Sequence, residues 1–200
     1  NTELNYPLFF HPLSDEKEDV ILEDDNIRVR NLILDHSIKC SGFLFEEKKA
    51  PRKIVKSAIK KYNIPFEKIN SLKFGADWID SSGMVISNNI LTTPNTPPYR
   101  YAFCSDTRYS ESIISKIKGV DLLYHETTFM HDLQERAYET GHSTTIEAAM
   151  IAKESDVKHM MIGHYSQRYK KLEDLLMETK KIFTNTSLSV SGMVIDFNKI

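Results

Sequence analysis

The chain has 200 residues, enough for one buried core or for a domain with a small appendage. Hydrophobic residues make up 40% and charged residues 27%, which excludes a disordered or fibrous chain, and a net charge of −2 excludes one that is basic throughout. No apolar run approaches the roughly 18 residues of a membrane-spanning helix, and the opening NTELNYPLFFHPLSDEKEDV has neither the basic start nor the apolar stretch of a secretory signal. Cys40 and Cys104 form no CxxC pair, so reduced thiols in a cytoplasmic protein without membrane attachment are expected. The charge is unevenly spread. Residues 1–26 carry eight acids and one lysine, whereas 48–73 carry nine Lys or Arg and one acid. Such a segment is either a polyanion-binding face or a solvated helix face.

In chain order, 27–34 and 40–46 read as strands. Pro51 opens a helical pattern with Ile54, Val55, Ala58, Ile59 and Tyr62 at helical spacing, because proline's missing N–H has no partner in a first turn. Residues 63–83 are loop-rich, 84–91 (MVISNNIL) suggest another strand, and Pro94, Pro97 and Pro98 make 92–100 an irregular connection. Then come a strand at 101–105, a helix over 110–118 on Ile113, Ile114 and Ile117, a strand at 120–125 and a helix over 130–139. Thr144 and Glu147 spell a capping box before a helix carrying Ile146, Ala149 and Met150. The strand 159–163, a helix with Leu172, Leu175, Leu176 and Thr179 on one face, and a closing strand over 187–197 complete the chain. Alternating strands and helices imply α/β layering, in which reactive groups gather where strands end.

Several apolar runs do end on an imidazole or carboxylate: NLILDH on His36, YAFCSD on Asp106, DLLYHE on His125 and Glu126, and HMMIGH on His164. His142 lies in the loop before the capped helix. Each alone is as readily a cap or a hydrogen-bonded histidine. Together, His36, Asp106 and His164 form a partial ligand set for Zn²⁺ or a similar ion, because hydrolytic sites use about three protein ligands and an open water position. A carboxylate bridging two such ions could stabilise both oxygens of a phosphodiester displacement. The chain has no HxH and no HExxH, so a two-metal site cannot be assembled from it alone. A thiolate from Cys40 or Cys104 stays open as a further ligand.

The pieces LDHSIKCSGFLFEEK, YAFCSDT, DLLYHETTF, GHSTTIEAA and IGHYSQRY, in that order, resemble ribonuclease Z, the metallo-β-lactamase-fold endonuclease that trims the 3′ ends of precursor tRNA. The likeness covers most of 27–185; HETT departs slightly from the family's usual HEAT wording. It implies a metallo-β-lactamase-like αββα sandwich, here mainly the C-terminal portion, read as a single domain over 1–200. It further implies two zinc ions per site in the complete protein, with His36, Asp106 and His164 as metal ligands and Asp106 as the bridge. The loops His125, Glu126, Thr127 and His142, Ser143, Thr144 would support the site. Glu126 and His142 would be catalytic, since a carboxylate and imidazole behind a metal can orient ligands and protonate a leaving 3′ oxygen. Ser143, Thr144 and Arg168 would contact substrate, and Lys48, Lys49, Arg52 and Lys53 of the basic segment would contact tRNA where the family carries a Gly/Pro-rich arm.

The resemblance also implies a homodimer acting on precursor tRNA. The family's HxHxDH motif is absent, so the chain is expected to be a part of a longer enzyme and inactive as it stands. The alternatives are another hydrolase of the fold, acting on small phosphodiesters or sulfate esters, and a non-catalytic RNA-binding fragment.

Overall fold

A computed structural model describes residues 5–14 and 16–199; Glu3 and Asp15 of the acidic stretch lie outside the described residues. The chain divides into two compact units, one of Asn1–Glu47 with Tyr99–Ile200 and one of Lys48–Pro98. The single domain expected over 1–200 therefore has a second body within it, because Lys48–Pro98 builds its own small core from Ala58, Ile64, Leu72, Ile86 and Leu91.

The first part of the larger unit supplies β1 (Val20–Glu23), β2 (Ile27–Leu34) and β3 (Cys40–Glu47). The smaller unit contains β4 (Lys53–Ile54), α1 (Lys56–Lys61), α2 (Ile69–Lys73), β5 (Trp78–Ile79), β6 (Val85–Ile86), α3 (Asn88–Leu91) and β7 (Thr92–Thr93). The larger unit resumes with β8 (Arg100–Cys104), β9 (Leu122–Glu126), α4 (Gln134–Thr140), α5 (Thr145–Glu154), β10 (His159–Gly163), α6 (Leu172–Lys180) and β11 (Thr186–Leu188).

The main sheet has the order β1-β2-β3-β8-β9-β10-β11. Pairings from β1 through β8 are antiparallel, and those from β8 through β11 are parallel. Two successive antiparallel pairings make β2 run in the same direction as β8. Hence β2, β8, β9 and β10 all end at one edge of the sheet, where Glu126 closes β9 and His36, Asp106 and His164 follow the other three. Alternation along the strands sends Leu32, Leu34, Leu44, Ala102, Cys104, Leu123, Met160 and Ile162 into the principal core, shared with Ala148, Ile151 and Ala152 of α5 and Leu175 of α6. Phe43, Phe45, Tyr101, Phe103 and Tyr124 occupy alternate positions, and the pairs Phe45–Tyr101 and Phe103–Tyr124 stack at 5.6 and 4.8 Å.

Where the elements differ from expectation, local pairing explains it. The helix expected from Pro51 starts at Lys56, because Lys53–Ile54 pair first with Thr92–Thr93. Only Val85–Ile86 of the strand over 84–91 forms; Asn88 then turns the chain into a helix, its buried side-chain amide donating to the carbonyls of Leu72 and Ala76. Over 110–118, Ile113 and Ile117 are fully buried, yet the backbone makes a 3₁₀ turn at Glu111–Ile113 followed by further turns. The helix over 130–139 begins as a 3₁₀ turn at His131–Leu133. The capping box is present: Thr144 accepts from the Glu147 N–H, and the Glu147 carboxylate accepts from the Thr144 N–H. That helix turns Ala148, Ile151 and Ala152 inward and leaves Met150 exposed. The closing strand stops at Leu188, ahead of a turn with Gly192 at φ 81°.

Leu123 lies on central strand β9 with no exposure. Leu123→Ala is expected to remove about 2–5 kcal/mol from urea unfolding; an unchanged midpoint would show that this sheet face is not the core.

Candidate metal and phosphate site

At the shared strand edge, ligand atoms of Asp106, His142 and His164 lie within 4.8 Å of one another. His164 leaves β10 with φ 58°, a left-handed conformation uncommon for a residue with a Cβ. Its Nε2 is 3.3 Å from Asp106 Oδ1. His142 is brought in by Gly141, the left-handed cap of α4 at φ 81°. A Cβ on Gly141 would stand 2.5 Å from His36 Nδ1, so the glycine also makes room for that imidazole. The rings of His36 and His164 each stand 5.2 Å from the His142 ring, and His36 is not among the groups that converge with Asp106.

His36 therefore stands one imidazole away from the Asp106–His164 pair. Its Nδ1–H donates to the Gly141 carbonyl at 2.7 Å. The loop bearing it is stapled to the Asp106 loop: the Asp35 N–H donates to Thr107 Oγ1, the Arg108 N–H donates to the Asp35 carbonyl, and the Arg108 guanidinium pairs with the Asp35 carboxylate at 3.1 Å.

Beneath these groups sits Glu126, with no exposure. Its Oε1 accepts from the Thr107 N–H at 2.9 Å and from His142 Nδ1–H at 2.8 Å. Its Oε2 accepts from the Thr128 N–H at 3.1 Å and from the Thr128 hydroxyl at 2.6 Å. The Glu126 carboxylate raises the His142 pKa above its ordinary value, against the opposing effect of burial. His125 points the other way, into the core, where burial pushes its pKa down. The Cys104 thiol is pushed up to about 12 by burial, and that of Cys40 is raised by burial and then by the charge of Asp106. Neither cysteine favours the thiolate that a metal ligand requires.

The remaining expected residues fall into two groups. Ser143 and Thr144 are fully buried, with the Ser143 hydroxyl donating to the Thr107 carbonyl and the Thr144 hydroxyl capping α5. Thr127 is buried as well, its N–H on the Gly163 carbonyl. Arg168 is exposed, with its guanidinium 5.0 Å from the centre of the Phe129 ring and its Nε–H on Ser166 Oγ. In the smaller unit, Lys49 and Lys53 are exposed, Lys48 is half-buried, and Arg52 is spent on Thr92 Oγ1 and Asn89 Oδ1 at 2.6 and 3.0 Å. Sequence reasoning missed Thr107 and Thr128. A hydroxyl two residues beyond a strand-end carboxylate, as in Glu126-Thr-Thr128, was the available signal.

A carboxylate and imidazoles form an oxygen and nitrogen donor set suited to Zn²⁺ and related divalent ions, so these residues fit a metal. Among the described residues no other such cluster of His, Cys, Asp and Glu occurs, and no helix is long and apolar enough to cross a membrane.

The fold is the metallo-β-lactamase fold. The metallo-β-lactamase fold protein YhfI from Bacillus subtilis superposes with a TM-score of 0.57 at 16% identity, over 90% of this chain and 52% of that one. A long-form RNase Z from yeast superposes at 0.55 and 18% identity, over 86% of this chain and 18% of that one. Human tRNase Z, short form, does so at 0.52 and 20%, over 92% and 48%. No family model matches.

By sequence the chain is similar to proteins named Ribonuclease Z. It is 43% identical to Ribonuclease Z of Bacteroides thetaiotaomicron over 98% of its own length and 62% of that relative's. With Ribonuclease Z of Porphyromonas gingivalis (strain W83) it shares 44% identity over 96% and 63%. The chain thus spans about three-fifths of the curated relatives it matches.

His125 supplies a pH test. Its folded pKa lies below the ordinary 6.5, so its neutral form contributes fully above pH 6.5 and that contribution drains as pH falls below it. The stability gap between wild type and His125→Gln is expected to shrink from neutral pH to about pH 5, as read by urea unfolding. A gap that is constant or widens would contradict a buried, neutral His125.

Proposed function

We propose that the protein carrying this chain is a zinc-dependent endoribonuclease that removes the 3′ trailer of precursor tRNA by hydrolysing a phosphodiester. The observation that carries this reading is the convergence of Asp106, His142 and His164 at one sheet edge in a chain similar to proteins named Ribonuclease Z. Asp106, His164 and His36 would hold Zn²⁺, with ligands from outside this chain completing a two-ion site. A bound Zn²⁺ would supply Lewis-acid activation of water and stabilisation of charge on the phosphate.

The chain's own residues do the rest. His142, held through Nδ1–H on Glu126, presents Nε2 to the site and carries a proton to the leaving 3′ oxygen. Glu126 stabilises that imidazole when it is charged. Arg168, braced over Phe129, is positioned on its ring to grip a phosphate through two N–H groups. Lys49 and Lys53, with the exposed rings of Phe66 and Phe74 at 82% and 72% exposure, give the smaller unit cations and stacking faces for RNA. The family likeness supports action as a homodimer in the cytoplasm.

The test is cleavage of a tRNA bearing a 3′ trailer by the whole metal-loaded protein. Wild type is expected to cut at the trailer junction, and Asp106→Ala to be slower by more than about a hundredfold, having lost a charged ligand. An uncut substrate would overturn the assignment. Faster turnover of a small aryl phosphodiester than of precursor tRNA would favour a different hydrolase of this fold.

In the second unit, Lys49→Ala with Lys53→Ala is expected to weaken tRNA binding and flatten its salt dependence, each phosphate contact contributing a slope of about 0.9 in log K against log salt. Unchanged affinity in a filter-binding titration would remove this segment from the RNA path.

A further inference from the structure

Two imidazoles face the site, and only His142 is fastened directly to the buried carboxylate. His164 Nδ1 lies 2.8 Å from Thr128 Oγ1, and Thr128 Oγ1 lies 2.6 Å from Glu126 Oε2. Thr128 is 7% exposed and Glu126 has no exposure, so both partners are shielded from bulk water. The polarity of this chain of bonds follows from the donors. Two backbone N–H groups, of Thr107 and Thr128, can only donate to Glu126. The carboxylate is thereby engaged as an acceptor on both oxygens, and the Thr128 hydroxyl gives it its single proton. The threonine oxygen is left as an acceptor toward His164 Nδ1.

A second carboxylate competes for the same ring. Asp106 Oδ1 stands 3.3 Å from His164 Nε2, with 43% and 33% of the two side chains exposed. That pair is longer and water-screened, whereas the contact to Thr128 is shorter and part-buried and leads to a buried Thr128–Glu126 bond. In the neutral imidazole the proton therefore stays on Nδ1, and the Nε2 lone pair faces Asp106 and His142. His36 and His142 show the same arrangement, with Nδ1–H on the Gly141 carbonyl and on Glu126. In the neutral form each of these rings thus leaves Nε2 unprotonated, the form that a nitrogen ligand of a metal must have.

We propose that Thr128 is a positioning residue that relays the Glu126 carboxylate to His164 and fixes that imidazole in the Nδ1–H tautomer. Its consequence for metal affinity rests on the proposed cation site, while the tautomer itself does not. The reverse arrangement would need a protonated Glu126 and would put Nε2–H toward Asp106, blocking that nitrogen as a ligand.

The experiment records long-range ¹H–¹⁵N correlations of the histidine rings in metal-free protein in alkaline buffer, for wild type, Thr128→Ser and Thr128→Val. Wild type and Thr128→Ser are expected to show His164 as the Nδ1–H form, and Thr128→Val to shift it toward Nε2–H. Zn²⁺ titration of the same proteins is expected to give about tenfold to a hundredfold weaker binding for Thr128→Val alone. An Nε2–H tautomer in wild type, or a Thr128→Val protein matching wild type in tautomer or in affinity, would overturn the proposal. If Thr128→Val does not fold, the wild-type spectrum decides. Failure of the nuclease reading would appear instead as uncut RNA with the wild-type tautomer intact.

Discussion

The site depends on one buried carboxylate. Removing Glu126 from water would cost several kcal/mol if it were left unpaired, and four donors offset that cost. Those donors come from the loop after β8, the loop after β9 and the loop before α5. Satisfying the charge therefore also fastens together the segments that carry Asp106, Thr128 and His142, and the Thr128 hydroxyl reaches on to His164. The stability of the fold's interior and the geometry of the site share the same bonds. Severing one partner would leave a buried charge short of a donor as well as a loosened imidazole.

The sheet makes this possible by direction alone. Since β2, β8, β9 and β10 run the same way, the chain leaves the core four times at one edge. Leu34, Cys104 and Ile162 anchor three of those exits in the principal core. At the fourth, Glu126 itself ends the strand. The left-handed turn at His164 and the glycine at 141 then redirect the side chains inward over the edge.

Much of this was legible in the sequence. Apolar runs ending on His36, Asp106, Glu126 and His164 marked the strand edge, and T-T-I-E marked the start of α5 exactly where tertiary packing had no reason to move it. The segment 48–98 was harder to read, because a six-residue helix and two-residue strands carry too little periodicity to announce themselves. Ile113 and Ile117 showed a helix's spacing, but burial alone does not make a helical backbone. Within the site, periodicity could not show that His142 would join Asp106 and His164 while His36 stands one ring outside. That outcome is set by Gly141, whose missing side chain admits His36 against its backbone. Nor could it show that Ser143 and Thr144 would turn both hydroxyls inward, which depended on contacts to Thr107 and Glu147.

Anomalous X-ray scattering at the zinc edge, from crystals equilibrated with Zn²⁺, would locate any bound ion directly. A peak within coordinating distance of the Asp106 carboxylate and His164 Nε2, missing when aspartate 106 is replaced, is the expected outcome. A well-occupied ion elsewhere with that cradle vacant would mean that these strand ends come together for folding alone.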